Sequence, residues 1–141
     1  MTVTVREVTW EEGREALLAV RTEVFVVEQR VPEELEDDGS DVGCWQVLAE
    51  DGDGRPVGTA RLGRHGEGGR VGRVAVLREM RRCGVGRKLM EAVFAIAERE
   101  GISELMLHAQ LTSVAFYSSL GFEAYGEEFE EAGIAHVSMR R

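Results

Sequence analysis

The chain has 141 residues, 43% of them hydrophobic, which is enough for one domain with a true core and too few for two ordinary ones. Its formal net charge of −9 opposes the phosphate attraction on which nucleic-acid binding rests, so nucleic acid is excluded and any basic patch serves a smaller anion. No apolar run approaches the roughly 20 residues of a membrane span, and Met1 to Glu7 lack a basic-then-apolar leader, so the expectation is a soluble cytoplasmic protein without a membrane partner.

Val3 to Val8 alternates apolar and polar residues like a half-buried strand, and Trp10 to Val26 then carries Ala16, Leu17, Val20 and Val24 at helical spacing. Val31 to Asp41 concentrates Glu33, Glu34, Glu36, Asp37, Asp38 and Asp41 and reads as a solvated loop. Cys44 to Glu50 and Arg55 to Arg64 read as strands joined by a hairpin turn at Asp51-Gly52-Asp53-Gly54. A turn at Gly66 to Gly69 leads into a strand from Val71 to Leu77, giving a meander of three antiparallel strands. Val85, Leu89, Val93 and Ile96 recur at helical spacing, so a helix runs from Gly84 to about Arg99 with Gly101 closing it. Ile102 to His108 is a strand, Thr112 to Leu120 a short helix ending at Gly121, and strands around Phe122 to Tyr125 and Ala135 to Met139 complete a sheet.

The most informative segment is Arg81-Arg82-Cys83-Gly84-Val85-Gly86-Arg87-Lys88, a cationic Gly-rich turn between a strand and a helix. Unpaired N–H groups at a helix start favour an anion, and Gly84 and Gly86 remove side chains that would block its approach. From Arg78 to Lys88 the sole acidic residue is Glu79, so positive charge is concentrated here within an acidic chain. Cys44 and Cys83 form no CxxC and indicate neither a disulfide nor a metal site. No Gly-x-x-x-x-Gly-Lys-Ser/Thr is present, which removes a phosphate-loop NTPase.

Arg81-Arg82-Cys83-Gly84-Val85-Gly86 resembles the Arg/Gln-x-x-Gly-x-Gly/Ala signature of the GNAT superfamily of acyl-CoA-dependent N-acetyltransferases. Val74-Ala75-Val76 matches its preceding strand, and Ala115-Phe116-Tyr117-Ser118-Ser119-Leu120-Gly121-Phe122 its downstream Phe/Leu-Tyr-x-x-x-Gly-Phe element. Arg21 to Pro32 and Gly133 to Met139 resemble the ElaA/YjcF-like branch, so the likeness spans nearly the whole chain. It implies one α/β domain over residues 1–141, with a mixed, mostly antiparallel sheet, splayed fourth and fifth strands and helices on both faces.

The resemblance also implies acetyl-CoA as cosubstrate and a small-molecule or peptide amine as acceptor. The backbone of Val74, Ala75 and Val76 would pair with the pantetheine arm, and amides of Arg82, Cys83, Gly84, Val85, Gly86 and Arg87 would hold the pyrophosphate. Arg81, Arg82, Arg87 and Lys88 would add charge, with Gln110, Phe116 and Tyr117 completing the cofactor site. Val76 N–H would polarise the thioester carbonyl and Tyr117 would protonate the departing thiolate, unless Tyr117 is only a packed aromatic. Glu28 is a candidate base, a ligand for a cationic acceptor, or one more surface glutamate. His108 is a candidate base or positioning group, with a structural histidine as the alternative, and Gln110 stands where many members carry Asn. Arg21, Phe25, Gln29 and His136 join Glu28 as candidate acceptor contacts. Cys83 reads as a packing residue, which favours direct transfer in a ternary complex. The acidic runs Glu33 to Asp41 and Glu127 to Glu131 suit solvated faces or attraction of a cationic amine such as a polyamine. The rival function is a non-catalytic acyl-CoA sensor or interaction module on the same scaffold; family habit also suggests a homodimer.

Overall fold

The computed structural model describes residues 2–141. Strand β1 (Thr4–Val8) leads into helix α1 (Trp10–Arg21), whose start is capped by the Thr9 hydroxyl accepting from the Glu12 amide at 3.1 Å. The helix was expected to reach Val26; instead it widens at Thr22–Glu28 into a π-helical segment, with the Gln29 amide donating to the Val24 carbonyl. The acidic segment is not a plain solvated loop either. It contains the short helix α2 (Glu33–Glu36), and Glu36 and Asp41 are buried.

Strands β2 (Trp45–Glu50), β3 (Pro56–His65) and β4 (Gly68–Val76) follow as an antiparallel meander of four strands rather than three, because β1 pairs with β2. Helix α3 (Val85–Arg99), β5 (Leu105–Gln110), α4 (Val114–Ser118), β6 (Glu123–Glu131) and β7 (Ile134–Arg140) complete the chain. The seven-stranded sheet has the order β1-β2-β3-β4-β5-β7-β6. Only β4 and β5 are parallel; every other pair is antiparallel.

Alternation along β2 shows why helices cover both faces. Leu48 packs with Val8 and Leu17 on the α1 side, whereas Val47 and Ala49 enter the main core with Val85, Leu89 and Val93 of α3. Burial of the α3 stripe anchors the turn before it, so the sequence periodicity that makes the helix also positions the Gly-rich segment. No helix of the described residues is long and apolar enough to cross a membrane.

Candidate active site

The cleft begins with a defect in the sheet. Thr59 pairs with Ala75 and Arg61 with Gly72, so Arg73 and Val74 together oppose one residue of β3. This β-bulge is held by the Thr59 hydroxyl donating to the Arg73 carbonyl at 2.8 Å, and Arg73 takes a left-handed φ of 50°. The bend turns β4 away from β5, whose pairing is confined to Gly69 with Leu105 and Arg70 with Met106. Beyond that point the strands diverge around a cavity of about 990 Å³.

Register decides which backbone groups face this cavity. The Leu77 amide donates to the Val57 carbonyl, which makes Gly58 and Val76 a non-hydrogen-bonded pair. The Val76 N–H therefore points away from β3 and into the cleft, while the Val76 carbonyl accepts from Arg81 Nε at 2.9 Å. Val74, two residues back, lines the same opening.

At the far side α3 starts without a side-chain cap. Gly84 precedes it at φ 82° with nothing within 4 Å of where a Cβ would stand, so first-turn amides open on the cavity. Gly86 has a different reason to be glycine. A Cβ there would lie 3.1 Å from the Phe116 ring, so its absence serves helix packing rather than anion approach. Phe116 in turn meets Tyr117 edge-on at 5.0 Å between centroids.

Of the four cationic side chains expected to hold phosphate, Arg82 and Arg87 line the cavity free of carboxylates among the described residues; Arg87 reaches the Ser119 hydroxyl at 3.4 Å. Arg81 also lines it, but its guanidinium is clasped by Glu28 at 2.6 and 2.7 Å. Lys88 turns away to the Val3 carbonyl. Cys83 is exposed rather than packed and lies outside the cavity lining, its thiol donating to the Arg81 carbonyl at 3.5 Å.

Tyr117 lines the cavity and is 8% exposed. Burial pushes its phenol above the ordinary tyrosine range. Gln110 and Gln29, expected on the cofactor and acceptor sides respectively, exchange amide hydrogen bonds of 2.8 and 3.3 Å and bridge the end of β5 to the π-helical segment. Phe25 and His136 also line the cavity.

Two candidates stand elsewhere. Glu28 is outside the lining, held by Arg81 and, at 3.3 Å, by Arg78; the hydrogen bond from Arg81 outweighs burial and lowers its carboxyl below the usual range. A carboxylate so neutralised is a poor base. Arg21 is 1% exposed, lies outside the cavity lining and gives its guanidinium to Glu36 and Asp41, each at 2.7 Å, so it secures the acidic segment.

Several cavity residues escaped the sequence reading. Arg61 bonds Asp38 and Asp41, and Arg73 bonds Glu36 and Asp38, so arginines from α1, β3 and β4 strap the acidic segment across one end of the cleft. Burial alone would raise Asp38 and Asp41, yet the hydrogen bonds from Arg61 and Arg21 prevail and both are lowered. At the opposite wall Arg70, His108, Glu131 and His136 line the cavity together. No signal in the sequence groups them, because their meeting depends on the register of β4, β5, β6 and β7.

Residues 8–141 match the Acetyltransferase (GNAT) domain family. The N-acetyltransferase YjcF of Bacillus subtilis (strain 168) is 37% identical over 132 residues, covering 93% of this chain and 94% of that protein. An acyl-CoA N-acyltransferase from Pseudomonas aeruginosa superimposes with a TM-score of 0.88 at 33% identity, and Escherichia coli ElaA with 0.87 at 29%; each comparison covers 99% of both chains. With an uncapped helix start, a free strand amide and a buried phenol gathered on one splayed cleft, the chain belongs to the GNAT family of acetyltransferases.

Proposed function

We propose that the protein binds acetyl-CoA in the cleft between β4 and β5 and transfers its acetyl group directly to the amine of a small molecule or peptide. The observation that carries the reading is the convergence of the Val76 amide, the first-turn amides of α3 and the Tyr117 phenol on one cavity. The chain's residues fit the cosubstrate. Val74 and Val76 offer an unpaired strand edge for an extended amide-bearing arm, and the amides before and within the first turn of α3, with Arg82 and Arg87, offer donors for a diphosphate.

Val76 N–H stabilises negative charge on the carbonyl oxygen as the amine attacks. Tyr117, a phenol on the cavity wall that is protonated at neutral pH, donates to the sulfur as the carbon–sulfur bond breaks. His108 receives the amine proton, since it is an imidazole of the cavity wall. Direct transfer is supported by the cysteines: Cys83 lies outside the lining, and burial raises the Cys44 thiol, leaving it protonated and weakly nucleophilic. The acceptor is not drawn in by the acidic segment, whose Glu36 and Asp41 are consumed by arginines. Isothermal titration with acetyl-CoA, followed by amine-dependent release of the CoA thiol, tests the proposal. Saturable binding and amine-dependent thiol release are expected; no binding at millimolar acetyl-CoA would overturn it, and binding without release for any amine would leave the sensor role instead.

A further inference from the structure

His108 is contacted twice through one ring nitrogen. Arg70 Nη2 lies 3.0 Å from Nδ1, and a Glu131 carboxylate oxygen lies 3.3 Å from the same atom. A guanidinium only donates and a carboxylate only accepts, so the two neighbours demand opposite tautomers. With Arg70 bonded, Nδ1 holds its lone pair and the hydrogen sits on Nε2, which then has no capacity to accept a proton. With Glu131 bonded, the hydrogen sits on Nδ1 and Nε2 is free to act as a base. The ring itself is held edge-on to Phe129, 4.9 Å between centroids, and His136 stacks on the same phenyl at 5.9 Å. His136 is fixed by its own Nδ1 contact to the Ile134 carbonyl and meets the second Glu131 oxygen through Nε2 only at 3.8 Å, so at His108 Nδ1 the competing groups are Arg70 and the first Glu131 oxygen.

Arg70 differs from the arginines at the other end of the cleft. Arg61 and Arg73 are closed by carboxylates at 3.0 Å or less, whereas the nearest carboxylate to Arg70 among the described residues is Glu131 at 4.0 Å, and Arg70 lines the cavity with its side chain 45% exposed. Among the residues lining the cavity, seven are arginines and only Asp38 and Glu131 are acidic, an inversion of the chain's overall balance. A half-exposed guanidinium without a close anion is a ready partner for a planar or tetrahedral oxyanion.

The geometry points to an acceptor that carries an anionic group beside its amine, with Arg70 as its anchor and as the residue that holds His108 inactive until the anion draws Arg70 away. This rests on the transferase reading above. Once Arg70 pairs with the acceptor, Glu131 takes the Nδ1 hydrogen bond and His108 Nε2 accepts a proton from the amine as the nitrogen–carbon bond forms. The carbon–sulfur bond breaks and the thiolate takes the Tyr117 proton, so charges and protons balance. The acceptor's anion thereby switches on the base that acetylates it. Arg70 and Glu131 act on the reaction through His108 and are positioning residues.

The test uses the full chain labelled with 15N-histidine, its His108 signals assigned with His108→Gln, and long-range 1H–15N spectra that report which ring nitrogen carries hydrogen. Wild type is expected to rest in the Nε2–H form, and Arg70→Met in the Nδ1–H form without any ligand. Saturating γ-aminobutyrate or aminoethyl phosphate should move wild type to the Nδ1–H form, while butylamine and putrescine should not; the two anionic probes distinguish a carboxylate from a phosphate. In thiol-release assays kcat/KM should favour an anionic probe at least tenfold over butylamine, and Arg70→Met should abolish that preference with acetyl-CoA affinity unchanged. An unaltered tautomer in Arg70→Met, a preference for butylamine or putrescine, or a preference that survives the substitution would overturn the inference. Should no amine release thiol, the transferase reading falls, and the tautomer spectra still decide the role of Arg70 by themselves.

Discussion

Arg81 and Glu28 form a two-pronged ion pair, 2.6 and 2.7 Å, that ties the π-helical segment to the turn before α3. The pair gives Glu28 a structural task and lowers its basicity. Glu28→Gln should keep kcat within about threefold of wild type, because loss of a true general base costs about 10²-fold or more. It should also leave acetyl-CoA binding equal or tighter, since Arg81 is freed toward the cavity. A hundredfold fall in kcat with an intact fold would restore Glu28 as the base.

Tyr117→Phe removes the proposed acid and little else, because the ring packs edge-on against Phe116 and Phe122. Turnover should fall about 10²-fold while the acetyl-CoA dissociation constant changes less than twofold. Unchanged turnover would take Tyr117 out of the acid role.

Arg21→Met tests whether this arginine holds the fold or the acceptor. Glu36 and Asp41 would each lose a partner at 2.7 Å in a buried setting, and breaking such a pair costs about 3 kcal/mol. Urea denaturation should show that loss. A variant of wild-type stability with a raised KM for the amine would place Arg21 at the acceptor instead.

Acid should weaken the same network. Asp38 and Asp41 are held below their ordinary range by Arg61 and Arg21, so the unfolded chain takes up their protons first as pH falls. Their stabilising contribution is complete above the ordinary aspartate value of about 3.9 and is lost as pH drops toward the lowered folded values. Urea midpoints measured from pH 7 down to pH 3 should therefore fall most steeply at the acid end, and Asp41→Asn should flatten that slope. Equal slopes in both proteins would show that the ion pairs do not set acid stability.

Elements with a strong local signature were legible in the sequence. The α3 stripe of Val85, Leu89, Val93 and Ile96 announces its own helix, and Gly84 before it announces the turn. What escaped depends on partners distant in the chain. Glu36 and Asp41 look like solvated acids until Arg21, Arg61 and Arg73 fold onto them. Gly86 looks like a gap for phosphate until Phe116, thirty residues on, fills it. The widening at Thr22–Glu28 leaves no trace in apolar spacing, since the same side chains serve an α-helical turn and a π-helical one. Arg70, His108 and Glu131 become neighbours only through strand register, which a parallel crossover and a bulged hairpin determine.

Main-chain amides at the start of α3 and along β4 are proposed to grip the cosubstrate. Backbone 1H–15N spectra recorded while coenzyme A is titrated in test that grip most directly. The largest shifts are expected at residues 82–87 and at Val74 and Val76, saturating together. Saturating shifts concentrated elsewhere, with those amides unmoved, would contradict it.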